Sequence, residues 1–293
     1  MLGSSAGPPT VAGCEVGQPG ESGAGVGGGN NAVEVVAKCD HAAPMPAAIA
    51  YENRIVAFLD ILGFRAMVGK FQSDPTLQQR LHRALTEIKA YKGFAGNPGT
   101  VQKEVEASVF SDSIVISAAA DQLFTVIWTC IGLQARLMAT GVLARGGISQ
   151  GPTFHQNDVL YGEGMIKAYD LESKAAIYPR VVIAPELIAT LAAGHKAMLL
   201  SEDVDGLWHT DPFAFGILPD NSEALLEDAY DPHLVFLEEF AAKIDQAIKS
   251  ATNVGVAAKW SWLKSKHAEA LTFHRKHGKP RMWRIMELSK KAD

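Results

Sequence analysis

Two runs that read as buried strands, each with a lone aspartate in it or at its end, most constrain what this chain can fold into. The first is Val56-Ala57-Phe58-Leu59-Asp60-Ile61-Leu62-Gly63-Phe64 and the second Ser108-Val109-Phe110-Ser111-Asp112-Ser113-Ile114-Val115-Ile116. Apolar runs of this length read as buried strands. A carboxylate in or at the end of a buried strand is costly unless something neutralises it. Two of them, Asp60 and Asp112, point to a shared divalent cation.

The chain has 293 residues, 47% of them hydrophobic, which is enough for one large domain or a core domain with additions. A net charge of −5 gives no support for a nucleic-acid or anionic-membrane surface. No apolar run reaches the length of a bilayer span; Ile183 to Leu200 comes closest and is interrupted by Pro185, Glu186, His195 and Lys196. Cys14, Cys39 and Cys130 are odd in number and widely spaced, so reduced thiols in a cytoplasmic protein are the expectation. Residues 1–50, rich in Gly, Pro and Ala and without a secretory signal, read as a disordered tail. The Gly27-Gly28-Gly29 run has neither a strand before it nor a helix after it, and so does not read as a phosphate loop.

From Asn53 the pattern predicts a strand over 54–61, a turn at Gly63-Phe64 and a helix to about Lys70. An amphipathic helix over 76–91, a loop over 93–99 and a hairpin over 104–117 follow. Next come a helix over 123–140 ended by Gly141, a strand over 142–148 with a turn at Gly151-Pro152, and a helix over 164–176. A strand over 180–183 and a short helix from Pro185 to Ala193, ended by Gly194, complete this part. That order predicts an α+β sheet covered on one face by helices, related to the ferredoxin-like βαββαβ plan. Residues 51–200 would be the catalytic domain. Residues 201–293 would be a mostly helical C-terminal extension, with helices over 233–252 and 257–277. At helical spacing Trp260 and Leu263 read as packed inward with the interleaved lysines solvated, rather than Trp260 and Trp262 as a stacking platform for bases.

If the strand over 54–61 lies beside the hairpin, Asp60 and Asp112 converge at one sheet edge. Mg²⁺ and Mn²⁺ favour such oxygen donors together with substrate phosphates, and the Ile61 carbonyl would add a ligand. Two ions sharing carboxylates can activate an attacking oxygen and stabilise a leaving phosphate. The turn after Asp60 aims helix amides toward the same place, and Gly63 leaves room for a triphosphate. Arg145, in Leu143-Ala144-Arg145-Gly146-Gly147-Ile148-Ser149-Gln150-Gly151, is placed to grip phosphate oxygens. Singly, Asp112 reads equally well as a turn residue, Asp60 as a helix N-cap and Arg145 as a surface ion pair. In combination they read as phosphoryl-transfer equipment.

Together these segments resemble the class III nucleotidyl cyclases. The family's Asp-Ile-x-Gly-Phe motif is matched by Asp60-Ile61-Leu62-Gly63-Phe64, and its hairpin aspartate by Asp112. Its Arg-x-Gly-Ile-x-x-Gly strand is matched by Arg145, Gly147, Ile148 and Gly151, and its aromatic-Gly step by Tyr161-Gly162. The resemblance spans about 54–183. It implies a nucleoside triphosphate bound with two Mn²⁺ or Mg²⁺ ions per site and converted to a 3′,5′-cyclic nucleotide and diphosphate. Asp60, Asp112 and the Ile61 carbonyl would hold the ions. Gly63, Phe64 and Arg145 would hold phosphates, with Phe58 and Ser108 as further nucleotide-contacting positions. A head-to-tail homodimer is implied as well.

The departures matter as much. Ser108 stands where purine cyclases carry a base-reading lysine, and Val159 where they carry the base-reading acid. Ile166 and Asp170 stand near the places of the helical Asn and Arg that steady the transition state. Changed base contacts imply a changed base. The pattern looks like the bacterial pyrimidine cyclases of Pycsar anti-phage systems, which use UTP or CTP and signal through a separate cyclic-nucleotide effector. Lys167, Lys174 and Arg180 are the cations near the expected place for the transition state, with Lys174 and Arg180 preferred.

Overall fold

The computed structural model describes residues 51–90, 105–216 and 231–290, and all statements below concern these. The expected tail over 1–50, the loop over 93–99, Cys14 and Cys39 lie outside the described residues.

The chain opens with β1 (Glu52–Ile61), α1 (Phe64–Val68) and α2 (Pro75–Ala90), followed by the hairpin β2 (Glu106–Phe110) and β3 (Ser113–Ala119). Next come α3 (Leu123–Ala139), β4 (Ala144–Gln156), β5 (Val159–Gly162), α4 (Glu163–Ala175) and β6 (Val181–Ile183). The remainder is α5 (Pro185–Ile188), α6 (Ala193–Leu199), β7 (Leu200–Glu202), β8 (Trp208–Thr210), α7 (Pro232–Lys249), α8 (Val254–His277) and α9 (Arg281–Lys290). The strands form one sheet in the order β2-β3-β1-β4-β6-β8-β7, with β5 paired to β4. The first four, with α1 and α2 crossing from β1 to β2 and α3 from β3 to β4, make the expected βαββαβ plan.

β1 explains the continuous apolar run. Ile55, Ala57, Leu59 and Ile61 face a core shared with Ile114, Ile116 and the α3 residues Ile127, Ile131 and Leu137. The alternate residues Val56 and Phe58 face a second cluster with Val115 and the α4 residue Ala168. A strand covered on both sides has no solvent-facing row to keep polar. The fold is thus α+β with α3 on one face, as expected, and α4 adds a partial cover to the other.

Several boundaries differ from the sequence reading. β4 runs straight through Gly151-Pro152, where a turn was expected. Pro152 pairs with Asn53 of β1, while the ladder to β6 extends only over 146–148. The missing amide therefore falls where β4 has an unladdered edge, the position a strand proline tolerates. The turn occurs instead at Asn157 and Asp158, both with positive φ, and sends the chain back as β5. Gly194 does not end a helix; it lies in the first turn of α6, and α5 stops at Ile188.

Beyond residue 200 the chain contributes β7 and β8 to the same sheet, then α7 and α8, which pack on each other. Phe240, Ile244, Leu263, Trp260 and Trp262 form a cluster with Ala135 and Met138 of α3 and with Leu62 and Leu143. Trp262 donates its indole N–H to Asp203 (2.7 Å) and stacks on Tyr178, so both tryptophans serve packing. Cys130 is buried in the α3 core, which pushes its thiol pKa up. No described helix is long and apolar enough to cross a membrane.

Candidate active site

Side-chain alternation puts Asp60 on the same face as Val56 and Phe58, at the end of β1. The register sets it directly between two partners, Ser113 on β3 and Arg145 on β4. Residues opposed across an antiparallel ladder share a face, so Asp60 and Arg145 meet by construction. Phe110 pairs with Ser113, leaving Ser111 (φ 57) and Asp112 as a two-residue turn. The Ile61 amide donates to the Asp112 carbonyl at 2.9 Å, which holds that turn against the end of β1. The two aspartates, 52 positions apart in the chain, are neighbours at one sheet edge.

The electrostatics of this edge are unbalanced. Burial raises the Asp60 pKa, Arg145 lowers it, and the negative charge of Asp112 raises it further. The Arg145 guanidinium lies 3.4 Å from the Asp60 carboxylate but only 2.7 Å from Glu172 Oε1, and it donates to the Ala176 carbonyl at 3.4 Å. Glu172, which the sequence reading missed, is buried on α4, and that burial raises its pKa against the pull of Arg145. One signal pointed to it: Gly164, Ala168 and Glu172 recur at helical spacing as the buried stripe of α4. Arg145 is thus braced by Glu172 while it reaches Asp60.

The turn after β1 is pinned by the Leu62 amide, which donates to the Leu143 carbonyl at 2.8 Å. Gly63 precedes α1 with φ 76, a left-handed conformation that glycine adopts without strain. Asp60 does not cap α1, and no side chain does, which removes the N-cap reading of that residue.

The other expected positions are distributed as follows. Phe58 is buried beneath the ring edge of Tyr169. Ser108 lies on the same face in a polar chain: its hydroxyl donates to Asp158 at 3.2 Å and sits 2.9 Å from His155 Nε2. His155 Nδ1 is 2.8 Å from Ser117, whose oxygen accepts from Arg54 at 3.0 Å. Lys174 pairs with Asp170 (3.0 Å) and Lys167 with Glu163 (2.7 Å), both on the outer side of α4. The structure does not bring Arg180 to the carboxylates. Arg180 is fully buried and bonded to Asp203 (2.6 Å), to Asp205 and to the Ala175 carbonyl, tying β6 to the β7–β8 loop.

The donor set at the sheet edge suits a hard divalent ion. Two adjacent carboxylates whose mutual repulsion and burial call for positive charge match oxygen-favouring cations that complete their shell with substrate phosphates. Among the described residues no group of three or more His, Cys, Asp or Glu gathers as a self-sufficient metal cage. A cavity of about 130 Å³ lined by His209, Asp211, His233, Lys266, Phe273 and Arg281 lies among β8, α8 and α9 and includes none of these site residues.

No protein-family model and no curated protein matches the chain. Among solved structures it is similar to the adenylyl cyclase CyaB from P. aeruginosa, at 13% identity over 54% of this chain and 93% of that one, with a TM-score of 0.37. It is similar also to the guanylyl cyclase Cya2, at 9% identity over 58% and 95%, TM-score 0.37. A third is a class III adenylyl cyclase-like ATP-binding protein from Pseudomonas aeruginosa, at 12% identity over 50% and 36%, TM-score 0.32. At these values a functional reading rests on the site itself.

Proposed function

We propose that the chain is a metal-dependent nucleotide cyclase that converts a pyrimidine nucleoside triphosphate to its 3′,5′-cyclic nucleotide and diphosphate. The observation that carries this reading is the convergence of Asp60, Asp112 and Arg145 at the end of β1, fixed by the strand register. Asp60, Asp112 and the Ile61 carbonyl would hold two divalent ions, Mn²⁺ or Mg²⁺, which supply Lewis-acid charge at the α-phosphate and at the departing diphosphate. The Gly63 and Phe64 backbone would cradle phosphate oxygens, and Arg145, steadied by Glu172, would orient them. The ribose 3′-hydroxyl adds to the α-phosphorus, the bond to the β-phosphate oxygen breaks, and the hydroxyl proton passes to solvent.

The pyrimidine preference rests on Ser108 and Val159. The Ser108 hydroxyl is engaged by Asp158 and His155, and Val159 is an exposed apolar side chain, so neither presents the lysine–acid pair that would read a purine edge. On the resemblance alone, UTP ranks above CTP and the product would act on a separate effector in anti-phage defence; the odd number and wide spacing of the cysteines suit a cytoplasmic location. Of the two preferred cations Lys174 remains to steady the transition state, supplied by a second protomer in a head-to-tail homodimer.

A second reading, a nucleotide-binding module without turnover, is favoured by Ile166 and by the Asp170–Lys174 pair at the places of the family's helical Asn and Arg. Incubation of the protein with ATP, GTP, CTP and UTP in turn, with Mn²⁺, separates the readings by product. Cyclic UMP is expected as the main product. Dominant cyclic AMP or cyclic GMP overturns the pyrimidine assignment, and binding without any cyclic product selects the module. Asp60→Asn and Asp112→Asn are each expected to lower kcat by about 10³ or more with an unchanged circular dichroism spectrum.

A further inference from the structure

The cations that the sequence analysis assigned to the site are already occupied. Arg145 is braced by Glu172, Lys167 and Lys174 pair with acids one helical turn back, and Arg180 is buried with Asp203 and Asp205. Lys259, on the C-terminal helix α8, is placed differently. It lies three and four residues before Trp262 and Leu263, so all three share one side of α8. Trp262 and Leu263 pack in the cluster that contains Leu62 and Leu143, each two residues from a site residue, Asp60 and Arg145 respectively. The half-buried Lys259 therefore approaches the carboxylate end of the sheet, and among the described residues it makes no ion pair. The neighbouring lysines do: Lys264 binds Asp245 at 2.7 Å and Lys266 binds Glu269 at 3.3 Å. Lys259 stands close enough to Asp60 for its positive charge to act on that carboxylate.

We propose that Lys259 supplies from α8, within the same chain, a cation that binds the β- and γ-phosphates of the nucleoside triphosphate. This rests on the cyclase reading of the site and gives the C-terminal helices a direct part in it. An ammonium on a flexible stem suits a point-charge contact to a phosphate tail, and its arrival from outside the βαββαβ core makes substrate binding depend on α8 being docked.

The test measures binding rather than turnover. Inorganic tripolyphosphate with Mn²⁺ is titrated calorimetrically into the full chain, into Lys259→Met, which keeps the packing stem, into Lys259→Arg and into Lys264→Met as a control on the same helix. Lys259→Met is expected to weaken binding about tenfold, the loss of one charge-assisted contact, while Lys259→Arg and Lys264→Met stay near the unaltered chain. If the unaltered chain binds and Lys259→Met binds equally well, this inference falls and the cyclase reading stands. If the unaltered chain binds no tripolyphosphate, the phosphate site itself is refuted, and this inference with it.

Discussion

At the residue scale, Gly147 decides whether the site has a back wall. A β-carbon there would sit 2.4 Å from the Ala168 carbonyl oxygen and 2.8 Å from Leu171 Cβ, atoms of the helix that carries Glu172. Both obstacles are fixed by the backbone of α4, so the helix has to retreat. Gly147→Ala is therefore expected to cost about 2–3 kcal/mol in denaturant unfolding and to reduce turnover by loosening the Glu172–Arg145 contact. Retained stability would show that α4 yields more easily than this packing implies. The same residues show what could be read in advance. Asp60, Asp112 and Arg145 stood out because a charge interrupts an apolar run, a local signal. Glu172 and the Ser117–His155–Ser108 chain did not, because their partners lie 27, 38 and 47 positions away. Arg180 looked available for the same reason: the acids that bury it, Asp203 and Asp205, come 23 and 25 residues later.

At the scale of elements, β1, the β2–β3 hairpin, α3 and α7 were legible because a single period governs each, whereas β4 was cut short at Pro152. A proline announces a break locally, and only the absence of a β6 partner at that point permits the strand to continue. α8 shows its long run but not what it covers, since its apolar residues are spread around the helix. What secures α8 is the Arg180–Asp203–Trp262 junction. Removing one member of a buried ion pair leaves the other uncompensated, so Arg180→Ala is expected to cost about 3–5 kcal/mol. Any activity lost should follow the unfolded fraction rather than a property of the folded protein. α7 carries a pH response of its own. Burial pushes the His233 pKa down to about 4; His274 and His267 push the same way, against Asp231 and Asp211. Below the ordinary histidine value of 6.5 the unfolded chain takes up this proton and the folded chain does not. The contribution is complete above that value and is lost as pH falls toward 4, up to about 3 kcal/mol. Burial lowers the pKa of His209 and His267 as well, so His233→Gln should reduce, not abolish, the fall in denaturation midpoint across this range.

At the scale of the whole molecule, the face that carries Asp60 is also the face with exposed apolar side chains. Ile166 and Tyr169 on α4 and Phe110 at the β2–β3 turn all stand in solvent, Phe110 at 83% exposure. Tyr169 already touches Phe58 beneath it, so this surface is held against the sheet. Exposed apolar side chains of this kind suit an interface, and a second copy docked there would lie beside the carboxylates. Within one chain the cations of α4 point outward and pair with acids of their own helix rather than with Asp60. Ile166→Glu places a charge in the middle of this surface without touching the buried stripe of α4. It is expected to shift the protein to monomer in sedimentation analysis and to remove cyclic-nucleotide formation, with little change in the unfolding midpoint. A monomeric Ile166→Glu protein with full turnover would show that one chain completes the site alone, and would transfer the charge-stabilising role to residues such as Lys259 that the chain brings to Asp60 itself.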